Sequence, residues 1–342
     1  MTAAGPERKS RRRRRRLVGA TVAVGALAAV TVVGVFALDV YGPRFGVYLV
    51  PPSVQKYAEI AVERLDRGYH TDSAEWPPVR AALLEAAAHA STYAELYPAL
   101  GEAVAVAGGP HSRFIPSGEE RSAEATASVP APTVSSEGGI TTVVLPEMLS
   151  TDADDQDAYA ITVADGIDRA AAGTCGWIVD LRGNVGGNMY PMLSGVTALL
   201  PDGPALSFRD RHGSDAVVTV RPNGVALGEN VFVDVGDRAK ATGVPVAVLQ
   251  DDRTASSGES VLASFRGVDG VRTFGRPSAG YTSANASTTL YDGATLVLTE
   301  SAYVDRTGRN HDEQSIDPDQ PATASASEHE ARAWLREQGC GG

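Results

Sequence analysis

The sequence predicts an α/β fold preceded by a small N-terminal helical subdomain and one N-terminal transmembrane helix. Three observations predict it. Residues 17–38 form a run of 22 residues without a charge, directly after a block of arginines. Residues 53–116 repeat apolar side chains at three- and four-residue spacing, as one buried helix face requires. From Gly139 onward, short apolar and β-branched stretches alternate with helical ones, the pattern of a sheet covered on both faces.

The apolar run comes first. At a 1.5 Å rise per residue, about 20 residues cross the hydrocarbon core of a bilayer. Arg8, Lys9 and the six arginines at 11–16 stand just before it, and basic flanks stay on the cytoplasmic side. Residues 1–16 therefore read as a cytoplasmic basic tail, 17–38 as an uncleaved membrane anchor, and the body as extracytoplasmic. A cleaved signal peptide would have a shorter apolar region ending in a small-x-small site. Here the run leads into Asp39-Val40-Tyr41-Gly42-Pro43, with no clear cleavage site.

Charge divides the same way. The tail holds 8 of the 30 basic residues and one acid, Glu7. From Asp39 onward 22 basic residues face 41 acidic ones, a net of −19 (22 − 41). Such a body does not present a basic surface to nucleic acid, and no nucleic-acid partner is expected. Cys175 and Cys340 are too few for a zinc site, and no metal or other cofactor is expected. Outside the cytoplasm they are permitted to bridge, and the sequence leaves open whether they do.

Helical spacing runs through Val54, Tyr57, Ala58, Ala61, Val62 and Leu65. Pro77-Pro78 opens a second stretch bearing Val79, Leu83, Leu84 and Ala87, and a third carries Tyr93, Leu96, Leu100 and Val104. Residues 117–138 are polar, small and proline-containing, and read as a flexible linker. The core, residues 139–322, then predicts strands at 140–145, 176–181, 244–250 and 294–299. Helices are predicted at 157–172, 189–200 and 257–265, and residues 323–342 form a C-terminal helix or tail.

Two motifs carry chemistry. In Asp180-Leu181-Arg182-Gly183-Asn184-Val185-Gly186-Gly187 an apolar strand runs into a glycine-rich turn at a helix start. Glycine permits positive φ, and a helix N-terminus offers free N–H groups to negative charge. The turn suits a phosphate or an oxyanion. The Gly-Lys-Ser/Thr ending of a phosphate loop and the dinucleotide Gly-x-Gly-x-x-Gly are both missing. In Thr254-Ala255-Ser256-Ser257-Gly258-Glu259 a buried strand delivers Ser256 to the start of a helix. Ser256 there is either an N-cap, completing a capping box with Glu259, or a nucleophile beside oxyanion donors. A nucleophile needs a base. Of the six histidines, His111 and His311 lie in polar loops, and composition does not choose between them.

The two motifs, in this order, resemble those of the tail-specific (C-terminal processing) peptidases and the tricorn-core peptidases. The resemblance covers roughly residues 139–321, and more weakly 53–117. It implies a crotonase-like core and a serine peptidase that hydrolyses peptide or protein substrates through an acyl-enzyme. It puts the nucleophile on Ser256, the oxyanion donors in the Gly186-Gly187 turn and at Ser257, and a supporting acid on Glu259. Tail-specific relatives use a lysine 25 residues past the nucleophile. Tyr281 occupies that position here, and no lysine follows Ser256. The tricorn-like branch takes a histidine from an upstream loop. His111-Ser112-Arg113-Phe114 is similar to that loop, with Gly109-Pro110 where an acid is usual, and so His111 is implied as base over His311. Glu313, ahead of Ile316-Asp317-Pro318-Asp319, is implied as the acid behind it. The linker is too short for the PDZ domain that many tail-specific relatives carry, so a short peptide or a flexible segment near the membrane is the expected substrate. A non-catalytic ligand- or peptide-binding module on the same fold is the alternative.

Overall fold

The computed structural model describes residue 42, residues 46–118 and residues 130–340. The expected basic tail and membrane anchor, and part of the expected linker, lie outside the described residues. Among the described residues no helix is long and apolar enough to cross a membrane.

Three helices open the fold: α1 (Val54–Leu65), α2 (Trp76–His89) and α3 (Tyr97–Gly108). Their apolar faces meet in one cluster around Tyr57, Leu65, Leu83, Leu100 and Val104, which also takes in Leu290, Leu296 and Leu298 from the second half of the chain. The spacing that predicted the helices is thus the spacing that packs them. Ser53 caps α1 by accepting Lys56 N–H at 3.1 Å.

The remaining elements form two sheets. Strands β1 (Arg113–Ile115), β2 (Thr133–Glu137), β3 (Ile140–Val144) and β4 (Gly176–Asp180) come first, with α4 (Ala153–Ala171) between β3 and β4. After α5 (Met189–Gly195) come β5 (Gly203–Asp210), β6 (Asp215–Arg221), β7 (Gly224–Leu227), β8 (Asn230–Val231) and β9 (Val246–Gln250). Helix α6 (Ser257–Phe265), β10 (Val271–Gly275), β11 (Ser283–Thr289), β12 (Thr295–Asp305), β13 (Gln320–Pro321) and α7 (Ala324–Glu337) complete the chain.

One sheet has the order β13-β10-β9-β4-β3-β2 and is parallel except for the β2–β3 hairpin. Its strands alternate strictly. Trp177, Val179 and Val248 face α4, α5 and α6, while Ile178, Ala247, Leu249 and Phe274 face α7. Both faces are covered, as the near-continuous apolar runs required. A disulfide joins Cys175, just before β4, to Cys340, just after α7, which fixes the terminal helix to the sheet.

The second sheet, β1-β12-β5-β6-β7-β8 with β11 also on β12, is antiparallel throughout. Of its strands only part of β12 was expected. Two further expectations are corrected. Residues 133–137, read as linker, form β2, a polar edge strand held by Ile140–Val144. The helix expected over 189–200 ends at Gly195 and gives way to a tighter turn at Thr197–Leu199.

Candidate active site

Strand β9 ends at Gln250, and the chain reaches α6 through a turn fixed at both ends. Thr254 Oγ donates to Leu181 O at 2.9 Å, and Ala255 N–H donates to Asn184 O at 2.9 Å. Asn184 is fully buried; its amide donates to Leu145 O at 2.8 Å and its oxygen accepts Gly186 N–H at 2.9 Å. One asparagine therefore locks the glycine-rich turn to the serine turn.

Ser256, at the start of α6, has φ 51° and ψ −115°. A non-glycine residue there carries backbone strain of order 1–3 kcal/mol, and such residues concentrate at functional sites. The fully buried Glu259 holds the strained residue, taking Ser256 N–H at 2.9 Å on one oxygen, and Ser278 Oγ (2.5 Å) and Gly280 N–H (2.8 Å) on the other. Burial raises the Glu259 carboxyl above its ordinary value, against the pull of these hydrogen bonds. Glu259 is thus a clamp on the turn.

The glycine-rich turn comes up beside it. Gly186 and Gly187 have φ 113° and 106°. A Cβ on Gly186 would stand 2.9 Å from Ser256 Cβ, and one on Gly187 would stand 2.1 Å from Met148 O. Ser257 Oγ donates to Gly187 O at 2.5 Å, which ties the two turns together. Among the described residues the N–H groups of Gly187 and Ser257 have no protein partner. Gly186 is a correction to the expected oxyanion donors. Its N–H is already committed to Asn184, and its contribution is the missing side chain that lets Ser256 approach.

His111 reaches the same place from the helical subdomain. Helix α3 ends at Gly109 (φ 75°), and β1 docks the following residues on β12. Ser112 Oγ accepts Thr299 N–H at 2.8 Å and Asn285 donates to His111 O at 3.1 Å, so the loop is pinned on both sides. Nδ1 of His111 is 2.9 Å from Ser283 Oγ, and Ser283 Oγ donates to Glu313 at 3.3 Å. Glu313 therefore reaches the imidazole through a hydroxyl, a link the sequence did not identify. Burial first, and the Arg113 charge second, push the His111 imidazole down to about 4, against a hydrogen bond to the Ser283 backbone. The ring of Tyr281, at the position where relatives carry lysine, lies 5.0 Å from the His111 ring.

Ser256, Ser257, Gly187, His111 and Ser283 line one cleft of about 680 Å³, floored by the buried Tyr303. No hydrogen bond joins His111 to Ser256 in this arrangement. His311, the rival histidine, is elsewhere. It is buried, with Nε2 3.0 Å from Asp305, and it does not line the cleft.

A serine on a strained turn, two unpartnered amides beside it and an imidazole thus meet across one cleft. Peptidase family S41 matches residues 139–322, and the chain belongs to that family. It is 36% identical over 323 residues to the nisin-resistance protein of Lactococcus lactis subsp. lactis, covering 94% of this chain and 99% of that one. A lipoprotein from Streptococcus agalactiae has a similar structure, with TM-score 0.72, 28% identity and coverage of 85% of this chain and 99% of its own. The photosystem II D1 C-terminal processing protease shares the fold at TM-score 0.56 and 14% identity, covering 81% and 95% of the two chains.

Proposed function

We propose that Ser256 is the nucleophile and His111 the general base of this peptidase. The observation that carries the reading is the meeting, in one cleft, of Ser256, the free Gly187 and Ser257 amides, and His111 held through Nδ1. With Nδ1–H donating to Ser283, the lone pair of the neutral ring lies on Nε2. Nε2 takes the Ser256 proton as Oγ attacks the substrate carbonyl. The Gly187 and Ser257 amides receive the oxyanion, a contribution worth roughly 10²–10³-fold per donor. The imidazolium then protonates the leaving amine, and water repeats the sequence on the acyl-enzyme. Burial makes the imidazolium costly, and Glu313, one hydroxyl away, offsets that cost. Two helix-covered faces of the parallel sheet support the crotonase-like reading of the core.

The charge-free run at 17–38 behind its arginine block supports a single-pass anchor with the peptidase outside the cytoplasm. The Cys175–Cys340 disulfide fits such a compartment. The Lactococcus lactis relative is named for nisin resistance, and nisin or a similar short peptide met at the membrane is the substrate proposed here. A short peptide suits a chain whose linker leaves no room for a PDZ domain. Digestion of a peptide library by wild type and Ser256→Ala tests the assignment. Cleavage by wild type alone is expected; identical cleavage by both takes the nucleophile role from Ser256, and cleavage by neither favours a binding module.

A further inference from the structure

Glu313 has a second oxygen, and it is not idle. Oε2 lies 2.8 Å from Nε2 of His70, a residue of the loop between α1 and α2. Glu313 is nearly buried at 8% side-chain exposure, while His70 is 37% exposed. The strained Asp312 and Glu313 (φ 46° and 57°) hold the carboxylate at this place. The gap in front of it is kept by Gly109, where a Cβ would meet His70 Nε2 at 2.7 Å and Glu313 Oε2 at 2.9 Å. His70 thus stands in the space that a side chain at position 109, two residues before His111, would fill.

We infer that His70 is a positioning residue for catalysis, the outer end of a chain running His70–Glu313–Ser283–His111. The inference rests on the assignment of His111 as base. By donating Nε2–H to Oε2, His70 fixes the orientation of the Glu313 carboxylate. Oε1 then accepts the Ser283 hydroxyl proton, which leaves Ser283 Oγ to accept His111 Nδ1–H. Each donor direction follows from the one before it, and the last fixes the His111 tautomer with its lone pair on Nε2. The other charged groups at this corner are Asp72 with Arg211 (3.5 Å apart) and Asp312 beside Tyr69.

The test compares His70→Ala and His70→Gln in the full chain, measuring kcat and KM, with His111→Ala alongside. Loss of the donor in His70→Ala should lower kcat roughly tenfold with KM little changed, a fraction of the 10²–10⁴-fold that general acid–base catalysis supplies. Gln retains an N–H donor and should restore kcat to within about threefold. Imidazole ¹⁵N shifts should show His111 as the Nδ1–H tautomer in wild type and His70→Gln, and as a tautomer mixture in folded His70→Ala. Wild-type kcat or an unchanged His111 tautomer in His70→Ala would overturn the inference. Full activity in His111→Ala would instead remove the base assignment on which it stands.

Discussion

His111 and His311 begin as equals, two histidines in polar loops, and the fold gives them opposite surroundings. His311 meets its carboxylate directly, 3.0 Å from Asp305, in a pocket that leaves it 1% exposed. Burial alone would raise the Asp305 carboxyl, yet hydrogen bonds from His311 and Thr307 bring it down to about 2. That pair staples the end of β12 to the loop behind it. His111 meets a hydroxyl instead, opens onto the cleft and is held neutral by burial. His311 is sealed with its carboxylate away from the cleft, whereas the His111 ring is held by a hydroxyl and faces the cleft.

The largest test of this contrast is the exchange of each histidine for alanine. His111→Ala should lower kcat by about 10²–10⁴-fold, the range of a general base, with an unchanged melting temperature. His311→Ala should do the reverse. It leaves Asp305 buried without its partner, which costs about 3 kcal/mol of stability, and folded protein should keep its kcat. Calorimetry and steady-state kinetics on the two variants read both columns. Next, Ser283→Ala breaks the link to Glu313 and should cost roughly tenfold in kcat, with KM nearly constant. The smallest expected effect concerns Arg113. A His111 held down to about 4 stays neutral as pH falls below the ordinary histidine value, so the acid limb of kcat/KM should lie well under 6.5. Arg113→Gln removes a positive charge that disfavours the imidazolium and should move that limb upward by a fraction of a pH unit. A limb that stays put or moves down would show that Arg113 does not face the base.

The parallel sheet and the serine turn were legible because their signals are local. Strands such as β4 and β9 are buried throughout and apolar up to their last residue, and α6 follows β9 within a few residues. Most of the antiparallel sheet was not legible, because strands such as β5 and β11 mix polar residues with apolar ones and are only partly buried. Strand β11 reads Ser-Ala-Asn-Ala-Ser-Thr-Thr, with no apolar alternation, and its register comes from β12. Ser283 sits at the start of that strand and so carried no sign of its role. The polar β2 was mistaken for linker for the same physical reason. The His111–Ser283 contact joins residues 172 apart, a distance across which spacing carries no information. The serine turn was readable in the sequence, and the residues that hold His111 were not.

Site-specific labelling by a fluorophosphonate is the most direct measurement of the central claim that Ser256 is activated by His111 and not by His311. Mass spectrometry should find the adduct on Ser256 in wild type and in folded His311→Ala at similar rates. In His111→Ala the rate should fall by about 10²-fold or more. An adduct on another serine, or equal labelling rates in wild type and His111→Ala, would contradict the account.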